Sequence, residues 1–146
     1  MDKKHLIERW FNEVFTKGDK DALKEITAPD FVSHVPGHDF KGHEEYIRDF
    51  MDWYRNVFTD DVWTINDYFE NGEKAAVRYT GEMNYQGGWF NVPSQNQRVK
   101  ETGMMIVRFQ EGLIQEMWCE MSDLHLLDQL QPLSEVDFDV KSKIRS

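Results

Sequence analysis

The first third of the chain repeats apolar residues at the spacing of an α-helix. Residues 3–17 form a wide apolar face, and Gly18 follows as a C-cap. Asp19 is placed to cap a short second helix over residues 20–25. Helical spacing returns over residues 43–57. The pattern therefore predicts two long amphipathic helices with a short one between them.

From Val62 onward the apolar period changes from about 3.6 to 2, which is typical of β-strands. Strands are predicted over residues 62–69, 74–84, 98–109 and 113–121. Asn71-Gly72 is typical of a type I′ hairpin turn, and residues 110–112 allow a second tight reversal. Residues 31–38 predict an irregular segment with one short extended piece, and the leucine-rich residues 122–130 a closing helix.

Helices first, then about four antiparallel strands and a closing helix indicate an α+β fold. Helices laid across one face of a strongly curved sheet leave a cone-shaped space, where we expect a small molecule to bind. The length of 146 residues fits one domain over residues 1–130, followed by a polar tail over 131–146 that we expect to be loosely attached.

Composition narrows the possible partners. The chain is 40% hydrophobic and 14% aromatic, which indicates a globular protein in spite of a net charge of -10. That charge disfavours nucleic acid and acidic membrane surfaces, and no apolar stretch is long enough for a signal peptide or a membrane span. We therefore expect a cytoplasmic protein. Cys119 is interpreted as a buried structural thiol.

Several short motifs follow one another along the chain in an order that a known protein family shares. They are Asp30-Phe31-Val32 with His34, Gly42, Thr64-Ile65, Asn71-Gly72, Val77-Arg78-Tyr79-Thr80, Arg108-Phe109, Gly112 with Ile114, Glu116 and Trp118, Leu126-Leu127 and Gln129-Leu130. In this order the chain resembles the SnoaL-like polyketide (ester) cyclases of the nuclear transport factor 2-like superfamily, over residues 6–130. The resemblance implies a curved, mainly antiparallel sheet and a helix-lined pocket.

The resemblance also implies a chemistry. In the family cyclases an aspartate moves a proton to and from a polyketide ester in an intramolecular aldol reaction, without a metal or an organic cofactor. Such an acid needs an apolar pocket that raises its pKa and donors that stabilise an enolate. The family aspartate falls on Ser122, next to Asp123, and Tyr85 stands where the family commonly has a His.

Three residues are the candidate catalytic groups. Asp123 is the preferred proton carrier, although Ser122 and Asp123 also suit the cap of the closing helix. His34 lies beside Pro36-Gly37 in a segment suited to a pocket rim, and is a second polar group or an ordinary His. Glu120 shares a strand face with Trp118, and is a substitute acid if that face lines the pocket and a solvated residue if it does not.

Five residues are candidates for binding the substrate. Arg78 could hold a carboxylate or an enolate, or pair with Glu82 or Glu116 across the sheet. The aromatic candidates, which could equally be ordinary core, are Tyr54, Trp63, Tyr85 and Trp118. His34, His38 and His43 do not have the spacing of a zinc motif, so no metal is predicted.

Two functions remain open. The first is binding of a small, largely apolar organic molecule with cofactor-independent acid/base chemistry, an aldol cyclisation or isomerisation of a polyketide-like substrate. The second is a non-catalytic ligand-binding or dimerisation module, which Ser122 at the family aspartate position favours. A homodimer is expected because Met104, Ile106, Met117 and Met121 must be covered on whichever side of the sheet they emerge.

Overall fold

The computed structural model describes residues 2–140 of the chain. The helices are α1 (Lys3–Arg9), α2 (Lys20–Ile26), α3 (Gly42–Tyr46), α4 (Asp52–Val57) and α5 (Asp123–Leu130). The strands are β1 (Thr27–Val35), β2 (His38–Lys41), β3 (Phe58–Asn71), β4 (Lys74–Tyr85), β5 (Arg98–Gln110) and β6 (Leu113–Met121). A short 3₁₀ turn, Leu133–Glu135, follows α5.

The three predicted N-terminal helices are confirmed, but two of them contain π-helical segments. α1 continues through Trp10–Phe15 in this wider form, and Ile47–Met51 joins α3 to α4 in the same way. Gly18 has the positive φ of a C-cap at 63°, and the Asp19 side chain caps α2 by accepting two backbone N–H bonds at 3.0 Å. A π-helical turn changes which side chains share a face, and such turns are frequent at functional sites.

The six strands form one curled, open sheet in the order β2-β1-β6-β5-β4-β3. All neighbouring strands are antiparallel except β1 and β6, which run parallel. The predicted β5–β6 hairpin is confirmed, with both Glu111 and Gly112 at positive φ as a type I′ turn requires. The β3–β4 hairpin is also confirmed, but Asn71 pairs with Lys74, so the turn lies one residue later than predicted.

The prediction of an irregular segment over residues 31–38 was wrong. This part of the chain forms most of β1 and the start of β2, with Val32 paired to Lys41 and Val35 to His38. Gly37 reverses the chain between the two strands with a φ of 79°. The hairpin raises the strand number from about four to six.

The sheet has a covered face and an open face. The helices pack on the covered face, where the Phe11 ring lies 5.6 Å from Trp63 and 5.0 Å from Tyr79. The open face exposes five large apolar side chains, and four of them line one groove, which we call the open-face patch: Phe69, Met104, Ile106 and Trp118. The fifth, Val62, is exposed on β3. Strand alternation separates the two faces, since Met105 and Val107 on β5 are buried between exposed neighbours.

The described end of the chain contacts the domain. Val136 is buried, and the Phe138 ring lies 6.0 Å from that of Phe90. The predicted tail, 131–146, extends beyond the described residues, so its loose attachment and the domain limits stay predictions. Within residues 2–140, none of the helices is long and apolar enough to cross a membrane.

Candidate acid/base site

A cavity of about 80 Å³ lies between the helices and the covered face. Eleven of its nineteen lining residues are aromatic, so its wall is mostly apolar. The π-helical segments contribute four of those aromatic residues: Trp10, Phe11, Phe15 and Phe50. The unusual helical turns therefore lie where they shape the cavity.

Two carboxyl groups, those of Glu101 and Asp123, border this cavity. Burial raises the pKa of Glu101 well above its usual range, and the charge of Asp123 and a hydrogen bond to it raise the pKa further. A hydrogen bond between two carboxyl groups requires a proton on one of them. We therefore assign the proton to Glu101, which donates to the Asp123 carboxylate.

Backbone geometry brings the two acids together from different elements. Glu101 is on β5 and faces the covered side between Val99 and Gly103. Ser122 follows the last residue of β6 and is bonded to β5. Its N–H donates to the Thr102 carbonyl at 2.9 Å, and its Oγ accepts from the Thr102 N–H at 3.0 Å. Asp123 follows as the first residue of α5, so it starts that helix beside Glu101.

Two tyrosine hydroxyls also border the cavity. Tyr46 and Tyr79 are more than nine-tenths buried, and burial raises the pKa of both phenols. Neither hydroxyl has a hydrogen-bond partner among residues 2–140. Buried hydroxyls usually have a hydrogen-bond partner. Since these two have none within residues 2–140, each can form a hydrogen bond with a bound ligand.

Glycines let two aromatic rings lie flat on the sheet. Gly103 pairs with Tyr79 across β5 and β4, and a Cβ on Gly103 would lie 2.5 Å from the Tyr79 ring. Gly81 pairs with Trp63 in the same way, again with a 2.5 Å approach. Both glycines are in strand interiors, where glycine often marks such a close approach.

An ion pair between a buried acid and a half-buried arginine supports one wall of the cavity. Asp61 is 2% exposed and accepts hydrogen bonds from Tyr54 Oη at 3.2 Å and Trp63 Nε1 at 3.1 Å. Arg55 donates to Asp61 at 2.9 Å and also to the backbone carbonyl of Phe15. Phe15, Tyr54 and Trp63 all line the cavity, so this pair holds three of its aromatic residues in place.

Cys119 lines the cavity but does not have the properties of a nucleophile. Burial raises its pKa to about 12, although a hydrogen bond with Ser33 acts in the opposite direction. A thiol with that pKa stays protonated near neutral pH, and the thiolate is the reactive form. Its placement agrees with the predicted structural thiol.

Three of the predicted site residues border the cavity: Asp123, Trp63 and Tyr54. Asp123 is also the first residue of α5. Its position is therefore compatible with both interpretations, the proton carrier and a residue at the start of the closing helix. The sequence analysis missed Glu101, Tyr46 and Tyr79. One feature of the sequence indicates Glu101: it is the lone acid among apolar residues and a glycine on one face of β5.

The structure places four predicted site residues on the open face instead. His34 lies between two carboxylates, with Nδ1 2.7 Å from Asp39 and Nε2 2.7 Å from Glu116. Trp118 stacks on its ring at 5.6 Å, and Glu120 is exposed on the same strand. Arg78 pairs with Asp67 at 2.6 Å rather than with Glu82 or Glu116.

Strand parity explains these positions. Glu116, Trp118 and Glu120 alternate with Met117 and Cys119, which belong to the covered face. The open-face residues therefore do not reach the cavity.

Tyr85 is buried but does not line the cavity. Its hydroxyl accepts from the Trp89 N–H at 3.0 Å and donates to the Val92 carbonyl at 2.6 Å, so it holds the loop after β4. That loop places Trp89 in the cavity wall. Tyr85 thus supports the cavity without contacting it. Within residues 2–140, no three His, Cys, Asp or Glu side chains are grouped to hold a metal ion.

Comparison with known proteins identifies the family. The family model described as SnoaL-like domain matches residues 7–117. A search of curated proteins found no significant match.

Solved structures share the fold at low sequence identity. TsrD from Streptomyces laurentii is 24% identical, with 91% of this chain and 99% of that chain covered and a TM-score of 0.78. IdmH from Streptomyces antibioticus, provisionally named a polyketide cyclase, is 23% identical over 89% and 99%, with a TM-score of 0.77. A protein from Jannaschia sp. CCS1, provisionally named a SnoaL-like polyketide cyclase, is 18% identical over 87% and 90%, also at 0.77. The chain therefore belongs to the SnoaL-like family of the nuclear transport factor 2-like superfamily.

Proposed function

We propose that this protein binds a small, largely apolar carbonyl compound and moves a proton on it without a cofactor. The observation that supports this is the carboxyl pair Glu101–Asp123 at an aromatic cavity. The pair offers a proton acceptor, Asp123, and a proton donor, Glu101, in one place. Acid/base catalysis needs both groups in reach of one substrate.

The proposed reaction begins at the carbon next to the carbonyl group. The Asp123 carboxylate removes a proton from that carbon, and the electron pair moves to the carbonyl oxygen to give an enolate. Glu101 and the hydroxyls of Tyr46 and Tyr79 are the groups that can donate hydrogen bonds to this oxygen. In a β,γ-unsaturated substrate the enolate extends over the double bond, and return of the proton at the γ-carbon gives the conjugated isomer. In a substrate with a second carbonyl group, the enolate carbon attacks that carbonyl carbon to close an aldol ring, and the proton held on Asp123 passes to the new alkoxide oxygen.

The names given to related proteins favour the second outcome. IdmH is provisionally named a polyketide cyclase, and the aldol reaction is the one that closes such rings. The cavity of about 80 Å³ is roughly half the 150 Å³ that holds a benzene molecule. A polyketide-like substrate therefore requires the aromatic lining to move apart, whereas a fragment of a few heavy atoms fits as it stands.

The test is deuterium exchange. The protein is incubated in D₂O with a panel of small ketones and 1,3-dicarbonyl compounds, and NMR follows deuterium entry at the carbon next to the carbonyl. We expect Glu101→Gln and Asp123→Asn to lower the rate by about 10²-fold or more, because each removes one half of the acid/base pair. Asp128→Asn, an exposed acid on the same helix as Asp123, is the matched control.

Exchange that survives both substitutions would refute the proposed chemistry. Binding without exchange by the unmodified protein would instead support the second candidate, a ligand-binding module without turnover. The observation that favours that candidate is Ser122, a non-acidic residue at the family aspartate position.

We also propose that the protein forms a homodimer through its open face. The open-face patch exposes Phe69 by 69%, Met104 by 61% and Ile106 by 47%, and patches of this kind commonly mark interfaces. Ile106→Lys should give a monomer in light-scattering measurements, while Leu124→Lys, at an exposed position of α5, should leave the mass unchanged. A monomer of the unmodified protein would contradict the proposal.

A further inference from the structure

We infer that Tyr46 is a specificity-determining residue: it selects a carbonyl compound that carries a second oxygen, such as a hydroxyl group, at the end away from the carboxyl pair. The inference rests on the carbonyl ligand of the proposed function but not on turnover. It depends on which hydroxyls of the cavity lack a partner, where they lie, and what a bound ligand does to them.

The four hydroxyl groups that line the cavity differ in what they bond. Tyr54 donates to a buried carboxylate at 3.2 Å, and Ser33 forms a hydrogen bond with the Cys119 thiol. The hydroxyls of Tyr46 and Tyr79 have no partner among residues 2–140, although these residues are only 2% and 5% exposed. Two of the four are therefore left for a ligand.

These two hydroxyls belong to different parts of the cavity. Tyr79 is on β4, next to the strand β5 that carries Glu101. Tyr46 ends α3, and its ring lies 5.4 Å from Phe31 on β1 and 5.7 Å from Phe40 on β2. Because β6 lies between β1 and β5, Tyr46 packs over the side of the sheet away from Glu101.

The electrostatic influences on the two phenols agree with this order. Burial raises the pKa of the Tyr79 phenol, and both acids of the carboxyl pair raise it further. Burial also raises the pKa of the Tyr46 phenol, but the neighbours that add to this are Cys119 and Tyr79. The Tyr79 hydroxyl is therefore the nearer of the two to the carboxyl pair.

A ligand with one oxygen leaves the Tyr46 hydroxyl unpaired. Glu101 and Tyr79 can satisfy both lone pairs of a carbonyl oxygen beside the carboxyl pair. A ligand that fills the cavity also excludes water from Tyr46, so it has to bond that hydroxyl itself. Leaving a buried hydroxyl unpaired lowers affinity by about fivefold or more. Sites of this kind discriminate against analogues that lack the matching group.

Matched ligands test the inference. Hydroxyacetone and butan-2-one differ only in a hydroxyl in place of a methyl group. The same is true of 4-hydroxybutan-2-one and pentan-2-one, in which the second oxygen is one carbon further away. Ligand-observed NMR titrations measure the four affinities. We expect the hydroxyketone to bind at least about fivefold more tightly in one or both pairs. A smaller preference in both pairs, or no binding of either hydroxyketone, would overturn the inference.

Tyrosine variants separate the role of Tyr46 from a general effect of polarity. Tyr46→Phe keeps the ring and removes the hydroxyl, so the preference should disappear while the plain ketone binds at least as tightly as before. Tyr79→Phe removes a donor to the oxygen that both ligands contain, so both affinities should fall by the same factor and the preference should remain. Tyr68→Phe is the matched control, because the Tyr68 hydroxyl donates to Glu70 outside the cavity.

The variants can also contradict the assignment. A preference that survives in Tyr46→Phe, or one that is lost in Tyr79→Phe, would overturn it. Should Tyr46→Phe fail to fold, the Tyr79→Phe result still tests which hydroxyl selects the ligand.

The inference and the proposed reaction fail in different ways. A preference for the hydroxyketone without deuterium exchange would refute the reaction and leave the inference standing. Exchange without such a preference would refute the inference and leave the reaction standing.

Discussion

Replacing Gly103 with alanine should displace the Tyr79 hydroxyl from its position at the cavity that the carboxyl pair also lines. The new Cβ would lie 2.5 Å from the Cζ and Oη atoms of Tyr79. Carbon atoms in contact are about 3.5 Å apart, so the ring has to move by about 1 Å. Tyr79 is buried between Phe11 and Trp63 and has little room for that movement.

The structure suggests a larger effect on the reaction than on stability. Overpacking in a core costs about 1–3 kcal/mol, and alanine in a strand recovers about 0.5–1 kcal/mol of that relative to glycine. The net loss in the free energy of unfolding is therefore about 1 kcal/mol. A group misplaced by 1 Å can lower a rate by about 10²-fold.

Urea unfolding and the deuterium-exchange assay measure the two effects. Thr102→Ala, on the open face of the same strand, is the control for a substitution in β5. Tyr79→Phe alone should slow exchange, and adding Gly103→Ala to it should slow exchange little further, because the displaced hydroxyl is already absent. A rate for Gly103→Ala within twofold of the unmodified protein would refute this reasoning.

Two further predictions concern stability. Burial disfavours the charged imidazole of His34, but hydrogen bonds to Glu116 and Asp39 outweigh this and raise its pKa. The charged His34 therefore contributes fully to the free energy of unfolding below about pH 6.5, and this contribution is lost as the pH rises through the raised pKa. Urea unfolding should show that the destabilisation caused by His34→Gln becomes smaller between about pH 6 and about pH 9. A pH-independent difference would contradict this, and exposed His5→Gln is the control. Asp61→Ala should cost about 3 kcal/mol or more of unfolding free energy because it leaves buried donors without an acceptor, while Asp67→Ala, in an exposed ion pair, should cost less than about 1 kcal/mol. Similar losses for both variants would show that the buried acceptor matters no more than the exposed pair.

Local sequence patterns predicted the elements that depend on local interactions. Helical spacing and the caps Gly18 and Asp19 located the N-terminal helices, and the period of 2 located β3 to β6. The β1–β2 hairpin was missed because β1 is held mainly by pairing with distant β6, and because Pro29 in β1 and Pro36 in the turn after it resemble loop signals. Such long-range pairing leaves no periodic trace in the sequence.

The site was only partly predictable because both faces of the sheet are rich in apolar residues. Met104 and Ile106 on the open face are as apolar as Met105 and Val107 on the covered face. Alternation groups residues by face but does not say which face the helices cover. Trp118 was therefore an equally good candidate from sequence, and the partner of Asp123 was not recognised until the two faces were distinguished.

The parallel pairing of β1 with β6 also affects the order of events when the chain is synthesised. Val32 on β1 pairs with Glu116 on β6, roughly eighty residues later, and such long-range contacts slow folding. During synthesis, β1 cannot pair with β6 until most of the polypeptide has left the ribosome. Asp123 follows β6 directly, so we expect the carboxyl pair to assemble among the last features of the nascent protein.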